Sequence, residues 1–546
     1  MVKNKFTFLL FCCFILPIFA QANNKYIVTF KDKNHTFDIK KIFTEKAIEK
    51  RKKFNIPFDE KDFPVNESYK TEIQNTGISI LSESNWLNAV LISADEKSIS
   101  TISKLSFISS IQKVEKSTSE KSNISSIKEN NDCAEIQNVE FEDNYVSSYA
   151  QFHLLNGEYL HEQGYNGENM TIAICDAGFR NANTNPGFAT VFSENRMIGA
   201  YDYVHNDSTV FTATDDAHGA YCFSFIAGIK ANQYIGTSTK SKFYLFQTEN
   251  NDGGSERLQE EFNLATALQR CDQLGVDVVS ISLGYTTFDS AFENHDTSDM
   301  KKNNTPAAKA VNIAASKNIL ICVAAGNEGA KPWHYISTPS DADSAFAIAA
   351  VDKNGNIASF SGYGLATDIR VKPNVAAVGS SANFINTTGT ISAGNGTSFA
   401  CPSLAGMATC LLQAFPDKTA WQIKTAIEQS ASQFLTPDKR VGYGIPDFKK
   451  AYQLLSSPNY VSNSKLESEI ILFPNPINDY LVIQNKSITP IQSVEVFNQV
   501  GQLVLKETDF PSSEKTVQMN NNSSGMFLLR ILMKNGDVFT KKIIKE

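Results

Sequence analysis

Between residues 145 and 456, short apolar runs of strand length alternate with amphipathic stretches of helix length. The runs are MTIAIC, KFYLFQ, DVVSISL, ILICVAA and AFAIAAV, and between them lie stretches such as RLQEEFNLATALQRCDQLG and NTPAAKAVNIAASKN. A strand that is apolar along its whole length has no side to turn to solvent. Strands buried on both faces and separated by helices form a parallel sheet with helices on both faces. The expected fold class is therefore α/β. In such sheets functional groups gather beyond the carboxyl ends of the strands.

The rest of the chain is organised around this block. Residues 1–22 read as a secretory signal peptide: a basic start (MVKNK), a short apolar core and the small residues of AQA. The apolar run is too short, and interrupted by a proline, to make a membrane span. Residues 23–115 read as a small α+β unit, with strands at KYIVTF and WLNAVLIS and helices at FTEKAIEKRKKFNI and EKSISTISKL. Residues 116–144 belong to a stretch dominated by Ser, Lys, Glu and Asn, which buries little and reads as an exposed, protease-accessible linker. A polar linker at 457–466 precedes a last block, 467–546. There EVFNQVGQLVL and FLLRILMKNGDVFTKKII are hairpin patterns, the second turning at Asn535-Gly536. Several short strands in such a block suggest a small β-sandwich.

A net charge of −8 and no basic block argue against a nucleic-acid partner. Of nine cysteines, Cys12 and Cys13 fall in the signal peptide. The odd number left, widely spaced and without CxxC pairs, makes neither a disulfide framework nor a metal site.

The candidate site is read from the residues immediately beyond the strands. MTIAIC runs into Asp176-Ala177-Gly178, DVVSISL ends at Gly284, and ILICVAA runs into Gly326-Asn327-Glu328-Gly329. In GNGTSFACPSLAG, Ser398 sits where a tight loop meets a buried helix, and Pro402 is read as lying in that helix's first turn. Two readings of Ser398 stand at this point, a helix N-cap and a nucleophile. Of seven histidines, His218 is the one at the start of a buried helix, DDAHGAYCFSFIAG. His161 opens HEQGY, which lacks the second histidine of a zinc-protease motif. A serine nucleophile needs a base and an orienting carboxylate. Asp176, His218 and Ser398 supply the three in the order Asp, His, Ser, whereas an α/β-hydrolase needs Ser, Asp, His, and no histidine comes after Ser398.

These motifs resemble the subtilase family of serine proteases. The matches are DAG at Asp176, HG at His218, SLG at Ser282 to Gly284, AAGNEG at Ala324 to Gly329 and GTSFACP at Gly396 to Pro402. The resemblance implies a subtilisin-like fold and a serine endopeptidase acting on protein or peptide substrates. It implies that Asp176, His218 and Ser398 form the triad, that Asn327 serves the oxyanion, and that Ser282, Leu283 and Gly284 bind substrate. It also implies that residues 23–115 are a propeptide that inhibits and chaperones, with processing in the linker. FPNP at 473–476, VEVFNQVGQLV, GMFLLRI and the terminal KKIIKE resemble a type IX secretion sorting domain. The implied partner is the type IX machinery, and the implied location is the exterior or surface of a Gram-negative cell. The chemistry requires no cofactor and no metal; a structural calcium is compatible with the Asp- and Asn-rich loops, although no EF-hand pattern is present. Ala177 and Ala220 stand where the family usually carries Ser or Thr, so hydrogen bonds supporting the triad are expected to be missing. Cys222, four residues after His218, is expected one helical turn beneath the imidazole. The alternatives are a surface adhesin on an inactive protease scaffold and a non-proteolytic acyl hydrolase.

Overall fold

The computed structural model describes residues 24–33, 37–114, 145–250, 257–301, 303–368, 370–457, 470–486, 490–498, 502–508, 510, 513–520, 523–534 and 538–546. The signal peptide, the 116–144 linker, the Asn535-Gly536 turn and nearly all of the 457–466 linker lie outside the described residues, as do His35 and Cys133. The chain divides into two units, residues 1–37 with 60–118 and residues 38–59 with 119–546.

In the second unit, seven strands make one parallel sheet. Across the sheet they run Val375–Val378, Phe346–Val351, Leu320–Ala324, Val278–Ile281, Thr171–Asp176, Lys242–Gln247 and Met197–Asp202. All six pairings are parallel. Five of the strands are the apolar runs of the sequence. The other two, MIGAYD and VAAV, carry weaker signals: the first is only half-buried and the second has four residues. Every residue of Thr171–Asp176 and Phe346–Val351 is buried, as the unbroken apolar runs require. Helices Leu258–Leu274 and Pro306–Ser316 pack on each other and on the sheet, as do His218–Ala227 and Thr397–Ala414. After Thr171–Asp176 the chain builds two strands on one side, then crosses back to build four on the other. Asp176 thus ends the strand at which the order reverses, where α/β sheets place their sites.

The same unit contains the C-terminal strands. A three-stranded sheet (Ile470–Phe473, Tyr480–Asn485, Glu514–Gln518) and a four-stranded sheet (Leu503–Glu507, Ile491–Phe497, Gly525–Met533, Val538–Lys545) share one core of Leu481, Ile483, Val494, Val496, Leu529 and Ile531. This is the sandwich expected from the sequence, and both hairpin patterns pair antiparallel.

The first unit is a four-stranded antiparallel sheet, ordered Ser79–Ser84, Ala89–Ala94, Asn24–Phe30, Ile108–Val114. Helices Glu67–Asn75 and Glu96–Ile102 belong to it, and Tyr26, Val28, Ile73, Val90, Ile92 and Ile102 form its core. The helix at Glu45–Lys53 clusters instead with the second unit.

Candidate active site

Asp176 is fully buried at the end of its strand. One carboxylate oxygen, Oδ1, accepts a hydrogen bond from the Ala177 N–H at 2.8 Å and lies 2.7 Å from His218 Nδ1. The other, Oδ2, is buried without a partner. A hydroxyl at 177 or 220 is what the family pattern would supply, and alanine is found at both. Asp216 Oδ1 accepts from the His218 N–H at 2.6 Å, fixing the start of the helix His218–Ala227. Gly219 comes next because a Cβ there would lie 2.9 Å from Asp176 Cβ and collide with the Gly178 carbonyl. Burial of the His218 ring disfavours its charged form, but Asp176 beside it wins, and the imidazolium persists well above the ordinary histidine range.

Ser398 is not an N-cap. The helix Thr397–Ala414 is capped by Gly396, and Ser398 is its second residue. That start also moves Pro402 out of the first turn to the sixth position, inside the helix. A proline there removes the N–H that would bond the carbonyl four residues back, which is that of Ser398. The freed carbonyl is taken by side chains from two other elements. The Ser282 hydroxyl donates to it at 3.0 Å and the Cys222 thiol at 3.3 Å.

Cys222 is fully buried, with its sulfur 3.8 Å from His218 Nδ1 and 4.0 Å from Nε2, one turn beneath the ring as the spacing predicts. Burial, reinforced by the charge on Asp176, pushes its thiol up to about 11, so it is neutral at physiological pH. The His218 ring also stacks beside Phe399, with centroids 6.1 Å apart. Ser398 and His218 therefore sit on adjoining helices joined through Cys222, although no hydrogen bond links Ser398 Oγ to the ring.

Asn327 lies just beyond Leu320–Ala324. Its Oδ1 accepts from Thr397 N at 2.9 Å and from Thr397 Oγ1 at 3.0 Å, and Thr397 Oγ1 accepts in turn from the Gly326 N–H at 3.1 Å. With the oxygen held there, the Nδ2 donors face the other way. A Cβ on Gly396 would lie 2.6 Å from Ser398 Oγ and 3.8 Å from Asn327 Nδ2, so hydroxyl and amide converge on the space that this glycine leaves open.

Ser282, Leu283 and Gly284 continue beyond Val278–Ile281. Among the described residues their backbone bonds to no other backbone, and Ser282 and Leu283 are buried while Gly284 is exposed. Ser337 Oγ is buried without a partner. It lies 2.7 Å from where a Cβ of Gly326 would stand and would collide with one on Gly284.

Sequence reasoning names Asp176, His218, Ser398, Asn327 and the 282–284 segment, and the structure brings all of these to one rim of the sheet. It does not single out Thr397, Asp216 or Ser337. Thr397 has a signal, since it precedes the serine in the quoted motif. His161 does structural work: Nδ1 is 3.0 Å from the Tyr145 hydroxyl and Nε2 is 3.1 Å from the Thr237 carbonyl.

A serine at a helix start, a buried Asp–His pair and a fixed carboxamide on one rim of a parallel sheet define a serine hydrolase class. Residues 167–444 match the subtilase family profile, and the chain belongs to that family. Residues 25–131 match the Peptidase S8 propeptide domain of Bacteroidota, and residues 471–546 match a secretion system C-terminal sorting domain. Thermitase of Thermoactinomyces vulgaris is 30% identical over 269 residues, covering 49% of this chain and 82% of that protein. Subtilisin DY of Bacillus licheniformis is 25% identical over 281 residues, covering 51% and 89%. Among solved structures, the MycP3 protease of the type VII (ESX-3) secretion system aligns over 57% of this chain and 89% of its own, at 21% identity and a TM-score of 0.44. The protein is a subtilisin-like serine endopeptidase with a propeptide, and its sorting domain marks it for export, to be secreted or displayed at the cell surface.

Proposed function

We propose that Ser398 is the nucleophile, His218 the base and Asp176 the group that orients it. Ser398 Oγ attacks the scissile carbonyl carbon, and its proton passes to His218 Nε2. The C–O bond forms, the carbonyl becomes an oxyanion, and the C–N bond then breaks as His218 returns the proton to the leaving amine. Water deacylates the serine by the same route. The observation that carries this reading is the 2.7 Å contact of His218 Nδ1 with a carboxylate buried from solvent. It fixes the tautomer, leaves Nε2 as the proton acceptor, and stabilises the cation that forms. Asn327 Nδ2 and the Ser398 N–H donate to the oxyanion, supported by the hold of Thr397 on Asn327 Oδ1. Residues 282–284 receive the substrate as an added strand, supported by their unpaired backbone.

In this scheme residues 1–22 are a signal peptide, 23–115 an inhibitory propeptide, 116–144 the processing region, 145–456 the protease and 467–546 the part read by the type IX machinery, with 457–466 as linker. The reaction uses no metal or cofactor. Among the described residues the set of three acid, thiol or imidazole ligands that converges is Asp176, His218 and Cys222, which lacks the six to eight oxygens that calcium takes. Binding of a structural calcium would show as a melting temperature lowered by a chelator.

A fluorophosphonate probe tests the central reading. Wild type is expected to label at Ser398, and His218→Ala to label far more slowly. An unlabelled wild type with its propeptide removed would favour the adhesin reading.

A further inference from the structure

The chain leaves the rim at Gly284 and enters no further α-helix until Pro306–Ser316. The excursion 285–301, YTTFDSAFENHDTSDMK, starts directly from the segment read as the substrate-binding strand. It contains only two short 3₁₀ turns, Ala291–Glu293 and Asp299–Lys301, so no regular ladder of its own fixes it. Its first residue is stitched to a neighbouring loop. The Tyr285 N–H donates to the Thr338 carbonyl at 2.8 Å, and the Thr338 N–H donates to the Tyr285 carbonyl at 3.2 Å. Thr338 follows Ser337, whose hydroxyl fills the space beside Gly284 and Gly326. The placing of 282–284 therefore depends on Tyr285, and Tyr285 depends on what holds the excursion.

His295 closes the excursion on itself. Its N–H donates to the Thr286 carbonyl at 3.0 Å, and its ring meets the Phe288 ring edge to face, with centroids 5.4 Å apart. Phe288 stacks in turn on Tyr285, with centroids 6.2 Å apart. His295 Nε2 lies 2.5 Å from Glu261 Oε1. Glu261 is fully buried in the first turn of Leu258–Leu274. Its other oxygen, Oε2, accepts from the Ala307 N–H at 3.0 Å, at the start of Pro306–Ser316. Helix amino ends favour an anion, and a buried anion needs a paired cation. One carboxylate thus joins two scaffold helices to an excursion that has no ladder.

The charged groups facing His295 are Glu261 from its helix, Asp299 from the excursion and Asp341 from the loop after Thr338. Asp341 is itself buried, which pushes its carboxyl up to about 6. Arg370, which donates to the Asp341 carbonyl at 2.7 Å, is paired with Asp343 and Asp368. Burial works against the charge on the His295 ring, but Glu261 outweighs it, and the imidazolium persists above the ordinary histidine range.

The geometry points to Glu261 and His295 as a positioning pair, which pins the excursion and, through Phe288 and Tyr285, holds 282–284 in place to receive the substrate. This rests on 282–284 being the substrate-binding strand, so the test separates the two. Hydrolysis of an extended, uncharged peptide by the mature enzyme is followed against pH, alongside labelling of Ser398 by a small fluorophosphonate. His295→Ala is expected to raise KM about tenfold with kcat and the labelling rate little changed, the mark of lost positioning rather than lost chemistry. In wild type, KM should stay low up to about pH 6.5 and climb as the pH rises through the raised value of His295. The pairing is present in full below the unperturbed value and is lost above the raised one. His295→Gln keeps a donor for Glu261 with no charge to lose, so it should recover most of the binding and abolish the climb. Gly284→Ala, whose Cβ would collide with Ser337 Oγ, disturbs the strand directly and should raise KM at every pH. A raised KM in Gly284→Ala with none in His295→Ala would overturn the positioning pair and leave the strand standing. If neither variant raises KM, the strand falls and the pair with it. Should His295→Ala fail to fold, the pH profile of His295→Gln decides alone: a climb of KM unchanged from wild type overturns the pair.

Discussion

The two ends of one sheet each hold a buried carboxylate against a cation, and they use the pair differently. At the rim, Asp176 faces His218, a group that can give up its proton. At the opposite end, the floor, the helix Glu45–Lys53 lies against the end of Leu258–Leu274, and there Asp272 faces Arg51, which cannot. The rim pair tolerates an unpartnered oxygen, Asp176 Oδ2, and a ring that reaches solvent. The floor pair is enclosed by two aromatic rings and cooperates with Lys46 and Lys50 on Asp277. The same electrostatic element thus serves proton transfer where its charge can vanish, and a fixed contact where it cannot.

Removing the rim groups is the largest break. Ser398→Ala is expected to cut kcat by on the order of 10⁶-fold, the loss known for the equivalent change in subtilisin. A turnover assay on a peptide substrate checks it, and near-normal turnover would remove the triad assignment. At the floor, Asp272→Ala removes the counter-charge of the buried Arg51, leaving it the Pro57 carbonyl, and is expected to cost the full chain about 3–5 kcal/mol of stability. Denaturant unfolding reads the loss, while kcat/KM of the mature enzyme should stay put. Asn327→Ala is expected to lower kcat about 10²–10³-fold with little change in KM. An effect confined to KM would mean that Asn327 binds substrate in the ground state instead.

A pH series separates the ends without mutation. His218 titrates above its ordinary value, so activity should fall in acid along a limb lying above the unperturbed value of about 6.5. Its pairing stabilises the fold fully below that unfolded value and is lost as pH rises through the raised one. Asp277 has the opposite sign. Burial alone would raise it, but Lys50 and Lys46 hold it below the usual carboxylate range, so its contribution is present above its unfolded value and fades only as pH falls through the lowered one. Near pH 5 the enzyme should be folded at both ends and inactive at one. Circular dichroism and hydrolysis measured together check this, and a parallel loss of the two signals would contradict it. The smallest effect belongs to Cys222→Ser. A neutral thiol contributing one hydrogen bond is worth about 0.5–1.5 kcal/mol, so hydrolysis should stay within about tenfold of wild type.

The sheet is legible in the sequence because burial on both faces leaves unbroken apolar runs, and the rim residues because each lies just past such a run. Met197–Asp202 and Val375–Val378 escape because one is half-exposed and the other is four residues long. Ser398 is recognisable as a residue at a helix start but not as distinct from a cap, because sequence does not say on which residue a helix turns in. That same uncertainty misplaces Pro402. The floor is illegible for a different reason. Arg51 and Asp272 are separated by 221 residues, and a basic helix in isolation reads as a solvated face.

Gly275 carries a consequence for inheritance. The helix Leu258–Leu274 ends at Gly275 in the left-handed region, which accepts asparagine as well as glycine, so the backbone of this turn alone would tolerate that exchange. Contact with Ala47 would not. A side chain at 275 is therefore a burden on the precursor, where the amino-terminal segment stands against it, rather than on the chemistry at the other end of the sheet.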